Sequence, residues 1–392
     1  MSTQRSYRFP WRKDNHFEIL IDSTEFFPRL IDTIGAARQY LLLEMYLVAS
    51  GSVADRLINA LLDAAERGVR IYLLLDDYGA QHLKQRDRAR LTHANIQTVY
   101  YNPLPSHSTL HNLYRIVWQH IPHGLYRNHR KLLLVDGKIA FTGGAGIIDA
   151  VAAPHAPEMR WRETMIEVQG VVVGDWQQLF TENWNRQVEQ ALELPAAAPL
   201  AFENGQSGRV TVNQARRRTG IQRSLHKHIK GARHRIWFAT AYFIPSWSLR
   251  KKLKQAARRG IDVRLLLPGP VTDHPGVRYA SRRYYGRLLK SGIRIYEYTP
   301  RFFHAKTVLC DDWVSIGSCN FDRWNLQWNL EANQEIKDPA MAASVAAMFC
   351  NDFDNSLEHT HPQWEKRGWH LRGLEWFWRR VELLTLKIRR RR

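Results

Sequence analysis

The chain is written twice, and that duplication narrows the architectures open to it. YLLLEMY at residues 40–46 is an apolar, strand-like run. Residues 53–66 follow with apolar side chains three and four apart and a stop signal at Arg67-Gly68; VRIYLLL at 69–75 then has the pattern of a buried strand. The second half repeats the series: RIWFATAY at 235–242, a basic helix over 249–257 stopping at Arg259-Gly260, and IDVRLLL at 261–267. Even the helix ends correspond, AAERGV at 64–69 returning as AARRGI at 256–261. Strand–helix–strand at this spacing predicts right-handed βαβ crossovers, so each half is expected to be one α/β domain with a mostly parallel sheet flanked by helices. The expected organisation is an N-terminal domain over residues 1–200, a C-terminal domain over 201–360 and a tail over 361–392. The linker is read at 195–208, rich in Ala, Pro and Gly.

Length agrees with two domains, since 392 residues supply two sizeable cores. Three cysteines (Cys310, Cys319, Cys350) make no disulfide framework and lack zinc-ligand spacing, which favours a reducing compartment. Lys and Arg number 57 against 37 Asp and Glu, a net charge of +20 whose field attracts nucleic acid, an anionic membrane or phosphate-bearing substrates. The first 12 residues are polar and basic without a signal-peptide core, and no run of 18 apolar residues exists, so a soluble or peripheral protein is expected. Fourteen tryptophans suit either a lipid interface or a core.

The chemistry-bearing residues fall at matching places in the repeat. His129-Arg-Lys131 followed by Asp136 recurs as His304-Ala-Lys306 followed by Asp311, and each copy continues as an apolar hairpin with its acid at the turn. On a strand, side chains at i and i+2 share a face, so each His stands with its own Lys. A pseudo-twofold that brings the two copies together makes a site with two imidazoles and two ammonium groups. That set suits a phosphodiester: one imidazole attacks phosphorus, while the other protonates the leaving alcohol and later deprotonates the incoming one. The lysines hold the phosphoryl charge, and no carboxylate cluster of metal-ligand type accompanies them, so metal-free chemistry without a cofactor is expected. Two similar triplets, His82-Leu83-Lys84 and His228-Ile229-Lys230, lack the acid and the hairpin and read as surface. Asp136 and Asp311, at an odd offset from the His, read as turn caps or Lys partners rather than as substrate contacts.

These paired motifs resemble the HKD signature of the phospholipase D superfamily, and the likeness runs from about residue 15 to residue 358. AYFIP at 241–245, QAARRG at 255–260 and NLEAN at 329–333 are similar to bacterial cardiolipin synthases of the B type, which lack the N-terminal membrane helices of other cardiolipin synthases. The resemblance implies two pseudo-twofold-related phospholipase D-like α/β domains. It also implies a phosphatidyltransferase that moves a phosphatidyl group from one phosphatidylglycerol to another through a phosphohistidine on His129, releasing glycerol. Water as acceptor would make the same site a phospholipase D. The superfamily also includes nucleases, although no nucleic-acid-binding motif is evident in this chain.

By the same resemblance, Glu331 orients the second motif's His304, and Glu163 falls where an acid serves the first motif's His129. Read from the residues alone, both are also ordinary strand-edge charges. Ser318 and Asn320 fit a Gly-Ser-x-Asn segment that contacts phosphate. The first half departs there with Gly143-Gly144-Ala145-Gly146, where glycine amides, Gly144 among them, would substitute. Asp322 and Asn329 read either as supports for the site or as turn and strand polarity. The implied partners are phosphatidylglycerol and an anionic phospholipid membrane, with the protein peripheral on the cytoplasmic side of a bacterial membrane.

The tail adds a reading of its own. Leu374, Phe377, Val381, Leu384 and Ile388 form one apolar helical stripe, and Arg372, Arg379, Arg380 and Lys387 lie off it. Trp364, Trp369, Trp376 and Trp378 add interfacial side chains, and Arg389–Arg392 ends the chain in four charges. This predicts a basic amphipathic helix on an anionic membrane; the competing expectation is a stripe packed on the second domain.

Overall fold

The structure, a computed structural model, describes residues 9–104, 126–214, 218–322 and 328–368, with Gly373 and Trp378. The first half contributes β1 (Arg12–Ile21), β2 (Tyr40–Met45), β3 (Arg70–Asp76), β4 (Ile96–Tyr101), β5 (Arg127–Asn128), β6 (Lys131–Val135), β7 (Ile139–Gly143) and β8 (Thr164–Gly170). The second contributes β9 (Gln206–Gln214), β10 (Arg218–Thr219), β11 (Arg235–Ala239), β12 (Asp262–Pro268), β13 (Arg294–Tyr298), β14 (Thr307–Cys310), β15 (Trp313–Gly317), β16 (Asn329–Lys337) and β17 (Ser356–His359).

Pairing gives the order β4-β3-β2-β6-β7-β8-β1 in one sheet. The other runs β17-β13-β12-β11-β14-β15-β16-β9, and β9 also pairs with β1, which joins the two edge to edge. The duplication is therefore spatial as well as sequential. Within each half, parallel strand pairing is that of the βαβ strands, β2-β3-β4 and β11-β12-β13; the motif hairpins join antiparallel, so each sheet is mixed rather than mostly parallel. A hairpin connection can only reverse the chain, which is why the strands carrying the motifs depart from the βαβ pattern.

Alternation along the strands explains the layering. Tyr40, Leu42, Tyr72, Leu74, Leu132 and Leu134 face a core shared with Trp237, Ala239, Leu266, Leu309, Val314 and Ile316 of the other sheet. Helices Val173–Trp184 and Pro339–Asp354 fill that shared core with Trp176, Phe180, Trp184, Val345 and Phe349. The odd-numbered neighbours Leu41, Leu43, Ile71 and Leu73 turn outward beneath helices Ser23–Gly35 and Ser52–Glu66, and Ile236, Phe238, Val263 and Leu265 do so beneath Gly220–Gly231 and Trp247–Arg258. Strands buried on both faces read as continuous apolar runs. Each such Leu or Ile contributes about 1.5–3 kcal/mol by burial.

The end signals of the two crossover helices act alike. Gly68 and Gly260 take φ of 89° and 86°, and the amides of Val69 and Ile261 reach back to the carbonyls of Ala64 and Ala256. The motif acids act alike too. Asp136 (φ 53°) accepts from the amides of Arg38, Gln39 and Tyr40, and Asp311 (φ 52°) from those of Arg233, His234 and Arg235. Each carboxylate therefore caps the segment entering the first parallel strand of its own half, β2 or β11, and is engaged there rather than beside the motif histidines.

Most of the tail, 369–372, 374–377 and 379–392, lies outside the described residues. Trp364 is not interfacial: it is buried in the second half's outer core against Tyr285, with Arg282 over its ring. Trp378 packs on the same core beside Gly276. His228, expected at the surface, is half-buried and stacked on Trp313 at 4.2 Å. Among the described residues no helix is long and apolar enough to cross a membrane.

Candidate active site

β6 and β14 run antiparallel to β2 and β11, so both motif histidines arrive where the parallel strands end. There the halves cross. The amide of His129 donates to the Leu330 carbonyl at 3.0 Å, and the amide of His304 to the Arg162 carbonyl at 2.8 Å. β5, just before His129, pairs with the start of β16, and Phe303 bridges Arg162. Each motif is thus laid beside the segment that carries the other half's acid.

The acids are paired accordingly, and the pairing is the reverse of the expectation. His129 Nδ1 lies 3.0 Å from Glu331 Oε1, and His304 Nδ1 contacts Glu163 Oε2. Glu331 serves the first motif's histidine and Glu163 the second's, because the backbone crossing puts residue 330 beside 129 and residue 162 beside 304. All four side chains are buried; both glutamates are fully so.

The lysines stand with their own histidines. Lys131 Nζ donates to the His129 carbonyl at 2.7 Å; Lys306 Nζ lies 3.0 Å from His304 Nε2 and 3.7 Å from Glu163. Burial pulls Lys131 down to about 7 and lowers Lys306 as well, against the attraction of the two glutamates. A negative charge placed between them would favour the protonated form of both ammonium groups.

The two histidine–acid pairs are chemically unequal. Ser318 Oγ donates to Glu331, and Asn329 Nδ2 approaches it at 3.5 Å, yet burial pushes Glu331 up to about 8. Glu163 is also pushed up by burial, but Lys306, His304 and the Thr164 amide together hold it below the usual carboxylate range. Burial and then the charges of Lys131, Lys306 and His304 drive His129 well below its ordinary value. Burial and Lys306 lower His304 too, and Glu163 opposes them.

Two expected phosphate contacts do other work. The Ser318 hydroxyl spends its donor on Glu331 and its amide on the Ala332 carbonyl. The Gly144 amide donates to the Thr164 carbonyl at 3.3 Å, and a Cβ there would come 2.4 Å from Glu163 Oε1. One of these residues holds its acid and the other makes room for it. Asn320 is 1% exposed, and its Oδ1 has no hydrogen-bond partner among the described residues, so it remains available to a ligand. Asp322 is buried close by.

Sequence reasoning missed the aromatic walls. Tyr46 packs on the His129 ring at 4.7 Å; Trp161, Phe302 and Tyr242 surround His304 at 4.8, 5.6 and 6.2 Å. Tyr46 and Tyr242 close the two matching apolar runs, which was the available signal. Arg162 was also missed: wholly buried, it forms a bidentate pair with Asp352 at 2.9 and 2.7 Å and ties the first half to helix Pro339–Asp354.

Comparison with known proteins agrees with this geometry. Residues 30–184 and 225–353 match the family model described as cardiolipin synthase, PLD-like domain. Cardiolipin synthase B of Salmonella typhimurium is 33% identical over 341 residues, covering 84% of this chain and 78% of that protein. Cardiolipin synthase A of Pseudomonas aeruginosa is 30% identical over 357 residues, covering 91% and 70%. The crystal structure of phosphatidylserine synthase from Haemophilus influenzae shares the fold with a TM-score of 0.70 at 13% identity, covering 94% of this chain and 93% of that one. A family match in both halves, each containing one of the crossed histidine motifs, makes the chain a member of the phospholipase D superfamily, in the family of cardiolipin synthase PLD-like domains.

Proposed function

We propose that this protein, a phosphatidyltransferase of the phospholipase D superfamily by its relatives, transfers a phosphatidyl group from one phosphatidylglycerol to a second and releases glycerol. The observation that carries the mechanism is the pair of crossed contacts, His129–Glu331 and His304–Glu163. A glutamate oxygen accepting from Nδ1–H, ionised in Glu163 and largely neutral in Glu331, fixes each ring with Nε2 toward the substrate. His129 Nε2 attacks phosphorus; the phosphorus–oxygen bond to glycerol breaks, and His304 delivers its proton to that oxygen. The neutral His304 then takes the proton of the second phosphatidylglycerol's hydroxyl, whose oxygen displaces His129 and forms cardiolipin. Lys131 and Lys306 hold the phosphoryl oxygens, while the unpartnered Asn320 Oδ1 suits a hydroxyl donor of the substrate. The inequality of the pairs supports this order: His129 is the more firmly neutral imidazole, and His304 faces the acid held ionised.

A membrane partner is supported by where apolar tips emerge. Of seven exposed large apolar side chains among the described residues, Tyr78, Trp247 and Val271 follow the ends of β3, β11 and β12, and Met159 precedes Trp161. All four lie at the end of the sheets that carries the histidines. Lys251 sits over Trp247, and the net charge is +20, which fits an anionic surface at which the protein is peripheral. The function is tested by incubating purified protein with phosphatidylglycerol vesicles and identifying the products by mass. Cardiolipin with glycerol is expected; phosphatidic acid alone would make water the acceptor and overturn the transfer.

A further inference from the structure

Helix Ser23–Gly35 leaves β1 and helix Ser52–Glu66 follows β2, and both start at the end of the sheet where the histidines lie. Between their first turns runs a cavity of about 280 Å³. Phe27, Pro28, Ile31, Val53 and Leu57 make its walls, and the segment through Ala152, Pro154 and Arg160 covers it. Pro28 lies inside the first helix and cannot donate to the Thr24 carbonyl, which loosens the turn on the cavity side. From Ser23 to Ile31 the cavity extends about 12 Å along the helix. Its volume is about twice that of a roughly 150 Å³ apolar cavity that holds one benzene, enough for a chain of about a dozen carbons.

The polar groups of the lining are Ser23, Thr24, Ser52, Arg56 and Arg160. Arg56 is exposed with no ion pair among the described residues, and Arg160 Nε donates to the Ala152 carbonyl at 3.2 Å. The lining adjoins residues that touch the site by single peptide steps. Arg160 precedes Trp161, whose ring lies 4.8 Å from that of His304. Ser23 follows Asp22, whose Oδ1 accepts from the Glu163 amide at 3.0 Å. An apolar slot with two arginines in its lining, one peptide step from residues that touch His304 and Glu163, has the chemistry of a lipid: chain within, ester and phosphate without.

We propose that this cavity holds an acyl chain of the lipid whose phosphate lies between His129 and His304, so that it reads chain length. The proposal rests on the lipid reading of the active site. It is tested first on the unaltered protein with phosphatidylglycerol carrying a diazirine at the end of one acyl chain, photolysed and mapped by mass spectrometry. Adducts on residues 23–31 or 52–57 that dihexanoyl phosphatidylglycerol displaces are expected. Adducts that survive this competitor would assign the slot to a separate lipid and overturn the proposal, as would adducts confined to other segments. Turnover measured alongside shows independently whether phosphatidylglycerol is the substrate. In a second arm, Ile31→Trp narrows the slot; the ratio of kcat/KM for dioleoyl over dihexanoyl phosphatidylglycerol should fall at least tenfold. An unchanged ratio in a folded variant would overturn the proposal.

Discussion

His129 Nδ1 meets Glu331 Oε1 at 3.0 Å across the pseudo-twofold, 202 residues along the chain, while the acid of its own half, Glu163, is given to His304. Neither half can therefore orient its own histidine. The two glutamates should consequently show different pH signatures. Removing the charge beside His304 makes its imidazolium less stable, so in Glu163→Gln the alkaline limb of kcat/KM moves to lower pH. Glu331→Gln should lower the rate without that displacement, because Glu331 acts on the group required neutral. Rate profiles from pH 5 to 10 distinguish the two; equal displacement in both variants would count against the crossed assignment.

Lys131 is buried with its ammonium pulled down to about 7, so it weakens the fold it sits in. Lys131→Met should leave the urea midpoint unchanged or raised, while kcat/KM falls at least about a hundredfold through loss of charge stabilisation at the phosphoryl oxygens. A variant that loses stability and activity together would make the lysine a structural ion pair.

Arg162 and Asp352 form the opposite case. Asp352→Ala leaves a guanidinium 2% exposed without its bidentate partner, at a cost of about 3–5 kcal/mol. Urea unfolding measures this directly. A loss below about 1 kcal/mol would mean that water or Asp22 takes over the charge.

The duplication, the βαβ units and the motif hairpins were legible because periodicity and turn residues are local, as Gly68 and Gly260 show. The shared core was not, since nothing in Tyr40 or Leu309 says which face of a doubly buried strand meets the other sheet. The histidines and lysines were named from spacing, but their acids were assigned to the wrong partners, because the Leu330 and Arg162 backbone contacts that cross the halves leave no trace in spacing. Glu44, inside the strand-like run at 40–46, is buried and accepts from Asn128 and Asn183 at 2.7 Å each, partners that the local pattern does not announce. Trp364 was assigned to an interface by composition and by neighbours in sequence, whereas Tyr285 and Arg282 claim it in space.

Trp247, 68% exposed on a helix whose first turns carry Lys251 and no acid, should contribute to membrane binding. Trp247→Ala should weaken co-sedimentation with phosphatidylglycerol vesicles severalfold and cost more activity on vesicles than on detergent-dispersed lipid. Equal binding by variant and parent would remove this face from the membrane account.

The central claim, that His129 carries the phosphatidyl group while His304 moves protons, is tested most directly by trapping. A phosphatidyl ester of p-nitrophenol needs no protonation of its leaving group, so His304→Asn should release a burst of one equivalent of nitrophenolate and then stall. Peptide mapping after an alkaline quench should find the phosphatidyl group on His129, and His129→Asn should give no burst. A burst from His129→Asn with the adduct on His304, or no adduct in either variant, would contradict the account.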